Sequence, residues 1–106
     1  MIYGIAIQPT ADREIDDIVG YIAANSRDNA ERWLSGLVDA IYSLRRFPKR
    51  CPLAPEDAYF LAEVRHFVYG NYRIIFTVDR TTVRVLNVRH AARRPIGEEP
   101  EKITPD

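Results

Sequence analysis

Two helical stripes that follow each other directly place the strongest constraint on how this chain can fold. In two consecutive segments, apolar residues recur three or four positions apart, which is typical of amphipathic helices. They are Ala11, Ile15, Ile18 and Ile22 in the first segment and Ala30, Leu34, Leu37, Ile41 and Leu44 in the second. About four polar residues separate the segments, so they are expected to form an antiparallel helical hairpin. Helices adjacent in sequence cannot lie one on each face of a sheet, which excludes a doubly wound fold.

Local signals predict where the two helices begin and end. Thr10 is a candidate N-cap for the first helix, which should end near Asn25. The second helix should begin near Asp28, because Asp28 and Glu31 have the spacing of a capping box. Pro48 should end that helix, since proline cannot continue the backbone hydrogen bonds.

Outside the helices, the pattern is that of short strands. A tight turn is expected at Gly70 and Asn71 between two apolar runs. The expected strands are 2–7, 64–69, 72–78 and 83–90. The order βααβββ predicts an α+β fold, in which an N-terminal α-helical hairpin packs on one face of an antiparallel β-sheet. Residues 1–95 are expected to form this domain, and 96–106 an acidic tail that contains prolines.

The turn at Gly70 and Asn71 pairs Tyr69 with Tyr72, and this register determines which side chains share a face. The face richer in large apolar groups should meet the helices. It carries Arg65, Phe67, Tyr69, Tyr72, Ile74, Phe76, Val78, Val83, Val85, Asn87 and Arg89. The other face is expected to be open to solvent. It carries Val64, His66, Val68, Arg73, Ile75, Thr77, Arg84, Leu86, Val88 and His90.

Charge is unevenly distributed along a chain whose net charge is zero. Residues 1–44 carry three basic and seven acidic groups, residues 45–94 carry eleven and four, and residues 95–106 carry one and four. A cationic middle indicates an anionic partner, such as nucleic acid or an acidic protein segment. Neither predicted helix has a basic face, which disfavours a DNA-recognition domain.

Several classes of protein are disfavoured by what the sequence lacks. A single cysteine, Cys51, excludes a disulfide framework and a cysteine-built zinc site. Two histidines and scattered acids do not form a metal pattern, so no metal is expected. There is no glycine-rich phosphate loop, and we expect no cofactor. No apolar run is long enough to span a membrane, so a cytoplasmic protein is expected.

Four stretches carry a family resemblance, after an acidic first helix that follows Pro9-Thr10. They are Val64-Arg65-His66-Phe67, Gly70-Asn71-Tyr72-Arg73-Ile74-Ile75-Phe76, Val83-Arg84-Val85-Leu86-Asn87-Val88-Arg89-His90 and Ala91-Ala92-Arg93-Arg94. In this order and spacing, the chain resembles the RelE/ParE superfamily of bacterial toxins, also called plasmid stabilisation proteins. The resemblance covers residues 2 to about 95, and the family fold agrees with the topology predicted above.

The resemblance implies one of two toxic activities. RelE-type members are ribonucleases that cleave messenger RNA on the ribosome, and ParE-type members inhibit DNA gyrase. Arg73 matches the arginine of the family's Gly-x-Tyr-Arg stretch, and Arg93 matches a second family arginine. Two arginines suit a phosphate, because each can donate two hydrogen bonds to it. If the chain is a ribonuclease, the implied catalytic residues are Arg73, Arg93, His66 and His90.

Departures from the RelE pattern favour the ParE-type reading. Val64 and His66 stand where RelE-type enzymes carry lysines, and no tyrosine follows Tyr72 as a C-terminal acid or base. The resemblance then implies a gyrase-binding toxin with no catalytic centre of its own. Its implied target-binding residues are Arg65, Arg73, Arg89, His90, Arg93 and Arg94. A RelE-like enzyme and a toxin homologue that has lost activity remain the alternatives.

The resemblance also implies an antitoxin partner. A ParD-like antitoxin would fold a disordered segment onto the toxin, and a heterotetramer or a larger complex is compatible with this. The helical hairpin is the expected docking surface. Tyr21, Trp33 and Leu37 are the candidate contacts, on the expectation that they are exposed beside the apolar stripe.

Overall fold

The computed structural model describes residues 1–97 and shows the expected order of elements. The first half contains strand β1 (Gly4–Ile7), helix α1 (Pro9–Ala23) and helix α2 (Arg27–Ser43). After short 3₁₀ turns at Pro48–Arg50 and Pro55–Tyr59, the second half contains β2 (Arg65–Tyr69), β3 (Tyr72–Asp79) and β4 (Thr82–His90). The predicted α+β class is confirmed, and no helix in the described part is long and apolar enough to cross a membrane.

The four strands form one mixed sheet in the order β1-β4-β3-β2. The two hairpins are antiparallel, as predicted, with Tyr69 opposite Tyr72 and Val78 opposite Val83. The first strand departs from the wholly antiparallel prediction, because β1 runs parallel to β4. The helical hairpin makes this arrangement feasible, since a parallel neighbour requires a long crossover connection.

The helical hairpin packs on one face of the sheet, and the core lies between them. The buried side chains of this core are Ala11, Ile15, Leu37, Ile41, Leu44, Cys51, Ile74, Phe76, Val83, Val85 and Val88. Most of the two predicted stripes therefore belongs to this core. Leu34 lies at the margin of α2 and keeps 36% of its surface exposed, and Ile22 and Ala30 lie outside the cluster.

Both predicted helix caps lie two residues too late in the sequence, although α2 does begin near Asp28, at Arg27. The N-cap position of α1 is Gln8, and Thr10 lies inside the helix. Pro9 is tolerated in the first turn of α1, because the backbone N–H groups there have no partner within the helix. The hydroxyl of Ser26 caps α2 by accepting a hydrogen bond from the Asn29 amide at 3.1 Å. The expected capping box of Asp28 and Glu31 is therefore not the start of α2.

The end of α2 also lies earlier than predicted. Hydrogen-bonded turns follow Ser43, and Phe47 takes a left-handed backbone conformation. Pro48 therefore opens a 3₁₀ turn rather than terminating α2.

A glycine in the middle of α2 lets the β2–β3 hairpin approach closely. A Cβ at Gly36 would collide with the Tyr69 hydroxyl. That hydroxyl donates a hydrogen bond to the Trp33 carbonyl at 2.8 Å. The Trp33 ring lies 6.0 Å from the Tyr69 ring and 5.2 Å from the Tyr72 ring, centroid to centroid. These contacts fix α2 against one end of the sheet.

A β-bulge in β4 corrects the predicted face assignments. Phe76 pairs with Val85 but Ile75 pairs with Asn87, so Leu86 is an extra residue and the alternation of faces shifts by one. As a result, Val88 and His90 lie on the helix face and Arg89 lies on the other, while the Asn87 side chain still reaches helix α1 at Glu14. The assignments of Val88, His90 and Arg89 are the reverse of those predicted, because the prediction assumed an unbroken strand.

Helix α1 supplies hydrogen-bond acceptors to the part of β4 that follows the bulge, where β4 has no β1 neighbour. The Glu14 carboxylate accepts a hydrogen bond from the Val88 amide at 2.9 Å. It also accepts from the Asn87 side-chain amide at 3.2 Å. One acidic side chain therefore stabilises the irregular strand and ties α1 to β4.

The second face of the sheet is covered rather than open. Ala54 and Val64 pack on Ile75 to form a second small core, and Leu86 and Ile96 pack against it. This correction applies to the predicted tail as well, because Ile96 is part of the packed structure. The remainder of that tail, residues 98–106, lies outside the described residues.

Replacing Glu14 should destabilise the fold. In Glu14→Ala the amide of Val88, a buried residue, loses its acceptor, and an unsatisfied buried donor costs about 1–3 kcal/mol. Chemical denaturation measures the loss. Asp16→Ala removes an exposed carboxylate from the same helix and is the control. Equal stability of the two variants would contradict the role given to Glu14.

Candidate functional site

Arg73, the best match to a family arginine, is buried in an ion pair. Its Nη1 donates to Glu56 Oε1 at 3.0 Å and its Nη2 donates to Glu56 Oε2 at 2.7 Å. Arg73 is 6% exposed and Glu56 is fully buried. The prediction of a surface arginine that contacts a target is therefore wrong for Arg73, because segment 48–64 covers it. Its guanidinium already holds a carboxylate in the bidentate geometry that a phosphate would need.

His66 joins this pair as a neutral side chain. Its Nδ1 lies 3.0 Å from Arg73 Nη1, and because an arginine only donates, Nδ1 accepts and carries no proton. Burial lowers the pKa of His66 below 6.5, and the positive charge of Arg73 lowers it further, against the opposing effect of Glu56. We call Glu56, His66 and Arg73 the buried cluster.

Glu56 stays ionised in the buried cluster although burial alone would raise its pKa. Hydrogen bonds from Arg73, from its own backbone amide and from the Ile96 amide, together with the charge of Arg73, lower its pKa below 4.5 overall. The Ile96 amide lies 3.1 Å from Glu56 Oε2. Sequence analysis missed Glu56, since an acid in a proline-rich loop, here next to Asp57, shows no pairing. Only the scarcity of acids among residues 45–94 hinted at it.

Arg89 extends the buried positive charge on the same face. The β4 bulge turns it away from the helices, and it is 5% exposed. Its Nη2 donates to the Arg94 carbonyl at 2.8 Å, which fixes the chain after β4 against the sheet. The predicted place of Arg89 on the helix face is therefore wrong, and its contact with a target stays a prediction.

The exposed basic groups of the predicted target site lie just beyond β4. His90, Arg93 and Arg94 are all exposed. The His90 ring contacts the Tyr72 ring edge-on at 5.2 Å, and its Nδ1 accepts from the Ala92 amide at 3.0 Å. A groove of about 260 Å³ runs between this region and α1. It is lined by Glu14, Asp17, Ile18, Tyr21, Tyr72, Val88, Arg89, His90 and Arg93.

Arg65 lies away from these groups, at the far edge of the sheet. Its Nη1 donates to the Cys51 carbonyl at 2.7 Å, and its Nη2 pairs with Glu63 at 3.0 Å. The order β1-β4-β3-β2 separates Arg65 on β2 from the end of β4. Of the six predicted target-binding residues, the structure brings together His90, Arg93 and Arg94 at the surface.

The four residues expected of a ribonuclease do not form one site. His66 and Arg73 belong to the buried cluster, while the bulge places His90 on the helix face of the sheet. Arg93 is exposed beyond the strand. General acid–base chemistry needs its groups within hydrogen-bond reach of one reacting atom, and this arrangement does not provide that.

The three candidate antitoxin contacts differ in exposure. Tyr21 is 74% exposed, as expected for a docking residue. Trp33 is half-buried against Tyr69 and Tyr72. Leu37 is 1% exposed, so its predicted place beside the stripe is wrong: it lies at the centre of the core.

Comparison with known proteins identifies the family. Residues 5–95 match the family of the ParE toxin of type II toxin–antitoxin systems, parDE. The chain belongs to the ParE toxin family. It is thus a ParE-type toxin of a type II toxin–antitoxin system. None of the curated proteins matches the chain in sequence.

Two solved toxin–antitoxin structures resemble this ParE-family toxin. A chromosomal ParDE system from P. aeruginosa has a TM-score of 0.69 at 14% identity, over 84% of this chain and 96% of that one. The RelBE2 toxin–antitoxin complex from Mycobacterium tuberculosis has a TM-score of 0.60 at 27% identity, over 85% of this chain and 99% of that one. The first likeness shows the fold alone, and the pair does not separate the two toxic activities.

Breaking the buried ion pair should cost far more stability than breaking a surface pair. Glu56→Gln leaves Arg73 buried without a counter-charge, which costs about 3–5 kcal/mol of unfolding free energy. The same substitution at Glu63, which pairs with Arg65 at the surface, should cost about 0–1 kcal/mol. Denaturant titration measures the free energy of unfolding of both variants. Similar losses in the two would contradict the prediction that the buried pair matters more to stability than the surface pair.

The lowered pKa of His66 predicts a loss of stability in mild acid. The unfolded chain takes up this proton near pH 6.5, whereas the folded chain does so only at lower pH, so stability falls as pH drops below 6.5. Unfolding midpoints at about pH 7.5 and about pH 5.5 should therefore differ, and His66→Gln should reduce the difference. If the unfolding midpoints of His66→Gln differ between the two pH values as much as those of the wild type, the loss of stability in acid belongs to another titrating group.

Proposed function

We propose that this ParE-family toxin arrests growth by binding and inhibiting DNA gyrase rather than by cleaving messenger RNA. The observation that carries the proposal is the burial of Arg73 against Glu56. A ribonuclease of this fold needs a cation that can bind the scissile phosphate, and here the matching arginine is neutralised by an internal carboxylate. A binding toxin needs no such group.

The proposed target surface is the exposed basic end of β4. His90, Arg93 and Arg94 offer positive charge at one place on the molecule, beside the groove that Tyr21 and Tyr72 line. Such a surface suits an acidic protein patch or the DNA that gyrase holds, because complementary charge speeds association and fixes orientation. His90, Arg93 and Arg94 are thus the proposed target-binding residues among the six that the sequence predicted.

A cognate antitoxin is the proposed second partner. Both similar structures are titled as toxin–antitoxin systems or complexes, one ParDE and one RelBE2. We extend this to the present chain: a ParD-like antitoxin neutralises the toxin by binding its surface. RelE-like cleavage of messenger RNA on the ribosome is the competing function, and the RelBE2 likeness is the observation in its favour.

Pulse-labelling after induced expression tests the target. We expect DNA synthesis to fall before protein synthesis, and purified toxin to block supercoiling by purified gyrase. Charge reversal in Arg93→Glu/Arg94→Glu should weaken that inhibition by at least about tenfold, because it places like charges against the acidic partner. The Arg94 carbonyl that holds Arg89 is a backbone group and survives the substitution.

Arg13→Glu/Arg27→Glu is the matched control. It makes the same change in charge at exposed helical sites outside the proposed target surface, and should leave inhibition intact. A fall in protein synthesis before DNA synthesis would favour the ribosome as the target. Expression without any arrest would identify an inactive homologue.

A further inference from the structure

The chain that follows β4, which we call the C-terminal arm (91–97), stays attached to the sheet as it leaves the strand. The Ala91 amide donates to the Asn71 carbonyl at 2.7 Å, at the turn between β2 and β3. The Arg93 amide donates to the His90 carbonyl at 3.0 Å. The arm therefore turns immediately after the strand instead of continuing away from it.

Two buried side chains hold the far part of the arm. Arg89 Nη2 donates to the Arg94 carbonyl at 2.8 Å, and Glu56 Oε2 accepts from the Ile96 amide at 3.1 Å. The Ile96 side chain also packs against the second small core. Arg89 belongs to β4 and Glu56 to the segment before β2, so the arm is fastened to two separate parts of the same face.

Gly97 brings the arm close to the 3₁₀ turn that carries Glu56. Its φ of 99° lies in the region that favours glycine. A Cβ at Gly97 would lie 2.9 Å from Cγ of the Tyr59 ring, which is too close for a side chain to fit without a shift. Backbone conformation and space at this position therefore both suit a glycine at the end of the described arm.

Glu56 connects the arm to an inner strand of the sheet. Both of its oxygens accept from Arg73 on β3, and Oε2 accepts from the Ile96 amide as well. A buried ion pair is often no more stabilising than apolar residues of the same volume, but its hydrogen bonds have a fixed direction. One carboxylate therefore sets the position of the arm relative to β3.

A held arm is better suited to binding than a loose one. The side chains of Arg93 and Arg94 are exposed, while the backbone on both sides of them is hydrogen-bonded to the fold. Ordering a flexible segment costs free energy at the moment of binding. Two arginines on a segment that is already ordered avoid this cost and bind more tightly with the same contacts.

We propose that Glu56 is a positioning residue for the target surface, which it serves by holding the C-terminal arm through Ile96. The inference rests on the proposed function, because it names what keeps Arg93 and Arg94 in place for the target. Glu56 is fully buried, so it acts through the arm and does not itself touch the target.

Limited proteolysis with trypsin tests the attachment of the arm without reference to any target. Trypsin cuts after basic residues, so it can cut the bond between Arg93 and Arg94. A held segment is cut slowly, because cleavage needs local opening. The bond after Arg46, in the exposed turns behind α2, is the reference within the same molecule. Both bonds are followed by a proline at the second position.

Glu56→Met/Arg73→Met removes the acceptor of the Ile96 amide without leaving a buried charge unpaired. Replacement of a buried ion pair by apolar residues of similar volume is often neutral for stability, so we expect this variant to fold. Net charge is unchanged. Cleavage after Arg93 should become at least about tenfold faster while cleavage after Arg46 stays the same. Half-inhibition of gyrase should need at least about fivefold more toxin.

Gly97→Ala loosens the other end of the arm and leaves the buried ion pair intact. The added Cβ meets the Tyr59 ring, and the backbone conformation is unfavourable for alanine. This variant should also speed cleavage after Arg93 and weaken inhibition. Gly20→Ala is the matched control, because a Cβ there meets nothing within 4 Å, and it should change neither measurement.

The two measurements separate the inference from the proposed function. Unchanged cleavage after Arg93 in both variants would overturn the attachment, and so would faster cleavage matched by an equal rise after Arg46. A loosened arm with undiminished inhibition would overturn the positioning role. If the wild-type toxin does not inhibit gyrase, the proposed function fails and the positioning role fails with it, whereas proteolysis still decides whether Glu56 holds the arm.

Discussion

The bulge at Leu86 determines the chemistry of both faces of the sheet. One extra residue reverses the orientation of everything after it in β4, so Val88 completes the main core and Arg89 enters the opposite face. Beyond the bulge β4 has no β1 neighbour, and there the Glu14 carboxylate of α1 accepts from the Val88 amide and the Asn87 side chain. Without that carboxylate, the Val88 amide would lose its acceptor.

Two arginines are buried behind this sheet, and their burial is the basis on which we propose a binding toxin. Arg73 is held by Glu56, and Arg89 is held by the Arg94 carbonyl, so the segments before β2 and after β4 close over the same face. An arginine in a buried bidentate pair is a structural element, because releasing it would leave an unpaired buried charge. On β4 and the segment after it, exposed positive charge is then found at Arg84, Arg93 and Arg94.

The sequence predicted the fold well because the helical stripes and the Tyr69–Tyr72 turn are local patterns. Helix caps were less predictable: Ser26 and Asp28 are both good caps, and the tertiary position of the chain chooses between them. The bulge left no local signal, since its determinant, Glu14, lies far away in sequence. The site was mis-assigned for the same reason, as Glu56 and Arg73 meet only after folding.

The position of the proposed target surface constrains how neutralisation can work. β1 ends at Ile7, opposite Val85, whereas β4 continues for five more residues to His90. At about 3.3 Å per residue, the basic end of β4 lies roughly 17 Å beyond the end of β1 along the sheet. An antitoxin segment that stopped at the end of β1 would leave Arg93 and Arg94 uncovered. Neutralisation then requires a segment long enough to continue past β1, or an antitoxin body bulky enough to exclude the target.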